Sequence, residues 1–332
     1  MSFNTHFVKA QYLCIILPKK EKITGAYTAL LLCKSNKTAF ERKHKMNGEK
    51  ELFEDQTVYT KIATASCKGL GETAVKSVRR AAAKVRCDFR AIRKIYGELC
   101  TDNARSGLSE WLSDNFYLIE NEYEVCINAL SSSEKVPFCN KDARMSAVFE
   151  RFCFYADFPL DKDGIHAVIS AFDRECDALL SELFFSPFFA RIALMSLCRR
   201  LLEEYIRERH GSSFSEENYT RTFSDIITSL KYVSVHNFDK DILDCRCARI
   251  LYRDPSGAFG LMTEDSRMMY LRMLSRKAAK HGTDEKTFAA HLLKKAQQGT
   301  DERTRHIGCE LMKLSKVNNI CILYRFWEYR LY

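Results

Sequence analysis

The stretch SEWLSDNFYLIENEYEVCINAL, from Ser109 to Leu130, decides the fold. Its apolar residues recur at alternating spacings of four and three, which places them along one side of a helix. The members of this stripe are Leu112, Phe116, Ile119, Tyr123, Cys126 and Leu130. Acidic residues occupy much of the remaining surface. The segment therefore predicts an amphipathic helix with one side against a hydrophobic core.

The segments that follow indicate further helices separated by loops. Residues Ser131 to Asp142 include three serines and Pro137, and Asp157 to Gly164 contains a second breaker, so both are predicted to be loops. Another apolar stripe starts at Ile165 and stops near Pro187, because proline removes an amide donor and clashes with the preceding turn. A new helix then begins. With no sustained strand alternation, the sequence predicts an all-α, multi-helical globular domain without a sizeable sheet.

The composition excludes several classes of protein. Of 332 residues, 46% are hydrophobic and only 5 are Pro and 13 Gly, which argues against disordered, collagen-like and disulfide-miniprotein chains. The net charge of +9 lies at the ends: residues 1–50 carry +7 and 305–332 carry +3, which leaves −1 for 51–304. A nucleic-acid binder would spread basic residues over a folded face. The charge pattern thus argues against nucleic acid as a partner.

The ends of the chain differ from its body. Residues 1–45 form a basic leader that need not belong to the fold, 46–312 a helical domain, and 313–332 a basic-aromatic tail. The sequence has no run of about 20 apolar residues, the length that a transmembrane helix needs. The 14 cysteines are scattered without a CxxC pair or a secretory signal, so we expect reduced thiols in the cytoplasm and no zinc site.

Motifs for catalysis and ligand binding are mostly absent. The glycine-rich segment Gly69 to Ser77 superficially resembles a phosphate loop, but its second glycine and its Lys-Ser pair are misplaced. His281 and His291 are isolated, which favours surface or packing roles. An acidic pair beginning at Asp161 resembles the start of a calcium loop, yet the twelfth position is Phe172. We therefore predict no catalytic residue, cofactor or metal.

Three segments carry a resemblance by their order and spacing: 109–120, 253–270 and 305–308. The residues concerned are Trp111, Leu112, Asp114 and Asn115 in the first, Asp254, Pro255, Gly257, Arg267 and Tyr270 in the second, and His306 and Gly308 in the third. Together they resemble the N-terminal cytosolic region of bacterial cyclic β-1,2-glucan synthases, which are large inner-membrane glucosyltransferases. The match covers roughly residues 85 to 312. Leu271 departs from the family pattern, where an arginine stands, and Cys309 and Glu310 replace paired tyrosines.

The resemblance implies a catalytic function for the complete enzyme and an accessory function for this chain. The family transfers glucose from UDP-glucose to build and cyclise a β-1,2-glucan. Because the membrane and catalytic regions would lie downstream, the resemblance implies a truncated, non-catalytic accessory region at the inner face of a bacterial membrane. Its partner would be the membrane or catalytic part of a glucan synthase, or another protein. The alternative is an independent helical module that binds a protein.

Local physical chemistry explains part of the second segment. Asp254 to Gly257 has the composition of a turn, with Pro fixing φ at the second position. Thr263 is expected to cap the helix that follows, and Thr283 the next one. Met269 and Met273, together with Tyr270, would supply an apolar side.

For five residues of the resemblance, a structural role competes with a functional one. In the functional interpretation, Trp111, Asp114 and Asn115 line a surface that contacts a partner or a glucan. In the structural one, which we favour, Trp111 fills a core and Asn115 bonds the backbone. For Arg267 and His306 we favour a salt bridge or a contact to a helix end over catalysis.

Overall fold

The computed structural model describes residues 48–71, 73–101, 106–156, 158–209 and 215–313. The predicted leader and nearly all of the predicted tail lie outside these ranges, so the statements about them stay predictions. The chain divides into two compact units between Asp241 and Ile242, within the body that the sequence analysis treats as one domain.

Fourteen helices and three short strands make up the part of the chain that the structure describes, which confirms the all-α prediction. The elements up to the division are α1 (Gly48–Cys67), β1 (Thr73–Ser77), α2 (Arg79–Thr101), α3 (Gly107–Ala129), β2 (Lys135–Cys139), β3 (Asp142–Ala143), α4 (Arg144–Ala156), α5 (Lys162–Glu175), α6 (Leu180–Phe184), α7 (Ser186–Glu208), α8 (Glu216–Val235) and α9 (Phe238–Ile242). The second unit continues with α10 (Arg246–Leu251), α11 (Ala258–Leu261), α12 (Glu264–His281), α13 (Glu285–Gln297) and α14 (Ile307–Lys313).

Helix α7 is the centre of the first unit. It packs against α2, α3, α4 and α8, and its buried residues are distributed around much of its circumference. Three of its arginines pair with carboxylates on three neighbours: Arg191 with Glu122 on α3, Arg199 with Asp88 on α2, and Arg200 with Glu150 on α4. A buried charge is costly without a partner. These pairs therefore favour one particular arrangement of the helices around α7.

A small antiparallel sheet occupies part of the segment predicted as a loop. The strand order is β1-β2-β3, with Thr73 opposite Cys139, and Val136 and Phe138 are fully buried. β3 pairs only with Phe138 and Cys139, so Pro137 has a strand neighbour on one side only and proline is tolerated there. A five-residue strand is too short for alternation to outweigh serine and proline in the sequence pattern.

The apolar stripe that begins at Ile165 forms two helices, where the sequence analysis predicts one. Helix α5 ends at Glu175, and the chain turns through Asp177, whose φ of 51° is left-handed. Leu180 and Leu183 are buried in the separate short helix α6. Pro187 lies in the first turn of α7, where proline loses no helical hydrogen bond.

The acidic pair that resembles a calcium loop is a helix start. Asp161 is the N-cap of α5, and its carboxylate accepts a hydrogen bond of 2.8 Å from the amide of Gly164. Asp163 lies in the first turn, where the positive end of the helix dipole favours an acidic residue.

In the second unit, α13 packs against α10, α12 and α14. The predicted cap of α12 is confirmed, because the Thr263 hydroxyl accepts from the amide of Ser266 at 3.3 Å. The predicted cap of α13 is wrong by one residue: Asp284 is the N-cap, and its carboxylate accepts from the amides of Lys286 and Thr287. A carboxylate can accept both amide bonds at once, which makes Asp the stronger cap.

The buried side of α12 is also shifted from the prediction. Of the predicted residues, Tyr270 is buried, but Met269 and Met273 are only half-buried, and Met268, Leu271 and Leu274 are buried in their place. Spacings of three residues, 268 to 271 to 274, set this face.

Candidate functional site

Two of the three resembling segments meet in the second unit at the ring of His306. Its Nδ1 lies 2.7 Å from Oδ2 of Asp254, in the turn after α10, and its Nε2 lies 3.0 Å from the Tyr270 hydroxyl on α12. His306 itself immediately precedes α14. We call these three residues the Asp254–His306–Tyr270 cluster. It joins a turn, a long helix and a helix start that are far apart in sequence.

The carboxylate of Asp254 is the acceptor at the centre of this cluster. Its side chain is completely buried; Oδ1 accepts from the amide of Ile307 at 3.0 Å, and Oδ2 accepts from the hydroxyl of Ser256 at 2.7 Å. Burial acts to raise the pKa of Asp254, but the hydrogen bonds from His306, Ser256 and Ile307 outweigh burial and hold that pKa below its ordinary value. The group is therefore an ionised carboxylate that ties the turn to the start of α14.

Tyr270 closes the other side of the cluster. Its side chain is buried, and burial, with a smaller effect of the Asp254 charge, raises the pKa of its hydroxyl to about 12. The hydroxyl therefore stays protonated near neutral pH and hydrogen-bonds to the His306 ring. Both nitrogens of His306 have partners within the protein, and about a fifth of its side chain is exposed. This geometry suits the joining of three segments better than proton transfer to a substrate.

Two glycines of the resembling segments are required by this geometry. Gly257 has a φ of 68°, a left-handed conformation that glycine adopts without steric cost, and its amide donates to the carbonyl of Asp254 at 2.9 Å. At Gly308, a Cβ atom would overlap the Tyr270 hydroxyl and lie 2.5 Å from Nε2 of His306. The backbone of α14 approaches the cluster this closely only because residue 308 has no side chain.

Arg267 makes a different contact from the one expected. Its guanidinium lies 5.6 Å from the centre of the Tyr252 ring and donates to the Tyr252 hydroxyl at 2.5 Å. The observed contact is thus a cation–π pair on the surface of α12. Pro255 occupies the second position of the turn that Asp254 begins, as its fixed φ favours.

The first resembling segment begins α3 in the first unit. Ser106 is the N-cap; its hydroxyl accepts from the amide of Ser109, and the Ser109 hydroxyl accepts from the amide of Ser106, which forms a capping box. Leu112 is fully buried, and the Asn115 side chain donates to the carbonyl of Trp111 at 2.9 Å. The backbone contact expected for Asn115 is present.

The position of Trp111 corrects the expectation that it fills the core. Its side chain is 40% exposed, and Asp114 one turn later is also exposed. The buried line of α3 runs through Leu108, Leu112 and Phe116, so residue 111 lies at the edge of the outer face. Tryptophan is usually buried, and this average outweighed the helical register in the sequence analysis.

An exposed face of α3 combines acidic and large apolar side chains. We call it the outer face of α3, and it consists of Glu110, Trp111, Asp114, Tyr117, Glu124 and Val125. Tyr117 is 66% exposed. Clustered apolar side chains on a surface can mark binding sites, and carboxylates around them favour a basic partner. Trp111 and Asp114 agree with the surface alternative of the sequence analysis, whereas Tyr117, Glu124 and Val125 were not predicted to belong to it, although their position opposite the apolar stripe could have revealed them.

Metal-binding clusters and membrane-spanning helices are absent from the described ranges. No group of three or more His, Cys, Asp or Glu residues there could hold a metal ion. No helix in the described part of the chain is long and apolar enough to cross a membrane. In the glycine-rich segment, Lys76 and Ser77 lie within β1, so they belong to a strand.

Compared with models of protein families, with curated proteins and with solved structures, the chain matches none of them.

Proposed function

We propose that this chain is the non-catalytic helical accessory region of a cyclic β-1,2-glucan synthase-like glycosyltransferase system. One observation supports the proposal more than any other: the second and third resembling segments converge on one buried cluster. His306 hydrogen-bonds to both Asp254 and Tyr270, from which it is separated by 52 and 36 residues.

The cluster also accounts for the spacing of the resembling residues. Gly257 closes the turn that positions Asp254, and Gly308 allows α14 to approach His306 and Tyr270. Residues that depend on one another in this way fix one local conformation of the second unit. A surface held in that conformation can position a catalytic partner without supplying a catalytic group itself.

Complementation tests this function. The full chain is co-expressed with a β-1,2-glucan synthase that lacks its own N-terminal region, and membranes are supplied with radiolabelled UDP-glucose. We expect no labelled glucan from either protein alone and labelled cyclic glucan from both together. Product from this chain alone would show that it is an enzyme, and failure of the pair to make product would overturn the accessory role.

Variants connect the complementation to the cluster. Tyr270→Phe removes only the hydroxyl that bonds His306, and His306→Ala removes the ring; we expect reduced glucan from both. His291→Ala removes an exposed histidine on α13 and should leave product unchanged. Circular dichroism of each variant distinguishes a loss of folding from a loss of the ability to support glucan synthesis. Equal product from all three variants would contradict the assigned role of the cluster.

A second candidate function is an independent module that binds a basic protein segment, and the outer face of α3 supports it. Three carboxylates lie there among Trp111, Tyr117 and Val125, all exposed. A helical segment with lysines and leucines would complement both the charge and the apolar surface.

Fluorescence of Trp111 tests this second function. The chain has two tryptophans, so Trp327→Phe leaves Trp111 as the only reporter. A synthetic Lys/Leu amphipathic peptide should shift its emission to the blue and bind at least 10-fold more weakly to a Tyr117→Ala/Glu124→Gln variant; a Glu/Leu peptide of the same length is the control. Equal binding of both peptides would exclude charge-selective recognition. His306→Ala should not affect this binding, which separates the two functions.

A further inference from the structure

Two cysteines meet where α1 and α5 end. Cys67 is the last residue of α1, and Cys176 is the C-cap of α5. The Cys176 thiol donates to the carbonyl oxygen of Cys67 at 3.9 Å, which places its sulfur beside the residue that carries the second thiol. Both thiols are free, Cys67 buried and Cys176 half-buried. The pair therefore combines mutual contact with access from solvent on one side.

Several contacts hold this junction in place. α1 and α5 pack against each other, and Arg174 on α5 donates to the Thr64 hydroxyl on α1 at 3.1 Å. Arg151 donates to the carbonyl of Lys68 at 2.8 Å, which fixes the chain just after Cys67. The helix ends that carry Cys67 and Cys176 are thus held together by contacts that do not depend on a bond between the two sulfurs.

A guanidinium lies beside Cys176. Arg144 donates to the carbonyl of Cys176 at 3.1 Å, and two hydrogen bonds to Glu182, of 3.0 and 2.6 Å, hold it there. The interaction with Cys67 lowers the pKa of Cys176, and Arg144 lowers it further against the effect of burial, whereas the same interaction and burial raise the pKa of Cys67. By contrast, burial raises the pKa of Cys126 and Cys198 to about 12. The thiolate, which is the nucleophilic form, is favoured at Cys176 and disfavoured at those two positions.

We propose that Cys176 and Cys67 form a redox site that reacts with a hydroperoxide and closes an intramolecular disulfide. The Cys176 thiolate attacks the outer oxygen of the hydroperoxide, the O–O bond breaks, and the alcohol or water leaves with the proton that the thiol released. This produces a sulfenic acid on Cys176. Cys67 then attacks that sulfur, the S–O bond breaks, and hydroxide leaves as water with the Cys67 proton. Two thiols are oxidised by two electrons, and one peroxide is reduced.

Mass spectrometry of the full chain tests the proposal. Reduced protein is treated with one equivalent of hydrogen peroxide, alkylated in denaturant and digested without reductant. We expect the peptide that links Cys67 to Cys176 as the main oxidised product, and a melting temperature that rises and returns after dithiothreitol. Oxidation mainly at the exposed Cys87 or Cys100, with Cys67 and Cys176 still alkylated, would overturn the proposal.

Single substitutions separate the two roles. In Cys67→Ser, the sulfenic acid on Cys176 should persist and be captured by dimedone; in Cys176→Ser, Cys67 should stay reduced. Cys198→Ser is the control and should form the linked peptide as the unchanged protein does. Circular dichroism confirms the fold of each variant. Dimedone labelling of Cys67 in folded Cys176→Ser would show that the assignment of the attacking thiol is wrong.

Discussion

Asp254 shows how one buried carboxylate depends on several donors. Because those donors hold its folded-state pKa below the ordinary value, the ionised form contributes stability above the unfolded-state pKa of about 3.9. As the pH falls through the folded-state pKa, protonation removes this contribution. The stability of the second unit should therefore depend on pH in the acidic range through this residue.

Asp254→Asn should eliminate that part of the pH dependence. We expect the variant to unfold at lower urea concentration than the unchanged protein at pH 6, and the difference to shrink progressively below about pH 4. Urea unfolding at a series of pH values measures it. A difference that stays constant down to pH 3 would show that the ionised carboxylate is not the source of the stability.

Gly308→Ala should destabilise the second unit. The added Cβ would overlap the Tyr270 hydroxyl and the His306 ring, so either the cluster or α14 must shift. Forced overpacking of this kind costs about 1–3 kcal/mol. Gly260→Ala is the control, because its Cβ would lie 4.0 Å from the nearest atom, a ring carbon of Tyr252. Urea unfolding compares the two variants, and equal stability would contradict the close approach.

At the scale of single elements, α3 offers a direct test of register. Leu112→Ala should cost about 2–5 kcal/mol, because the side chain is fully buried and its removal leaves a cavity. Trp111→Ala should cost less than about 1 kcal/mol although it removes a larger side chain, since residue 111 lies on the outer face. Urea unfolding of both variants measures the difference, and the reverse order would place Trp111 in the core.

The elements also show what the sequence could and could not predict. Helix α3 could be predicted because its apolar spacing persists over more than five turns. The Thr263 cap and the hydrogen bond from Asn115 to the backbone could also be predicted, because both follow from side-chain chemistry. Strand β2 could not be predicted, because its partner β1 lies far away in the sequence and the local composition indicates a loop. The break between α5 and α6 depends on a left-handed Asp177, which hydrophobic spacing does not encode.

The candidate site, like the helices and strands, could be predicted from the sequence only in part. The turn that begins with Asp254 could be read from its sequence, but its partner His306 lies 52 residues further on, and only tertiary structure brings them together. The outer face of α3 is the converse case. Its residues are local, yet their exposure depends on which face the neighbouring helices cover.

At the scale of the molecule, the ion pairs of α7 determine how neighbouring helices meet. Arg191 and Glu122 are both buried, with 2.5 Å between Nε and Oε2. Arg191→Met should cost about 3–5 kcal/mol, because it leaves the Glu122 charge buried without its partner. Adding Glu122→Leu should recover most of this loss, because the remaining charge is then removed as well. Thermal and urea unfolding of the single and double variants measure the coupling.

An exposed pair provides the comparison. Lys94 and Glu98 on α2 are 3.6 Å apart and largely exposed, so Lys94→Met should cost no more than about 0.5 kcal/mol. If Lys94→Met and Arg191→Met lower the free energy of unfolding by the same amount, burial does not determine the strength of the α7 ion pairs.

The three carboxylates that pair with α7 all precede it in the chain. During synthesis, the ribosome releases Asp88, Glu122 and Glu150 well before the arginines between residues 191 and 200 emerge. Until then, α2, α3 and α4 have neither the central helix nor the cations that neutralise their inward carboxylates. We therefore expect the nascent first unit to remain a substrate for chaperones and proteases until translation has passed Glu208. A product released before Ser186 should be degraded instead of persisting as a smaller folded domain.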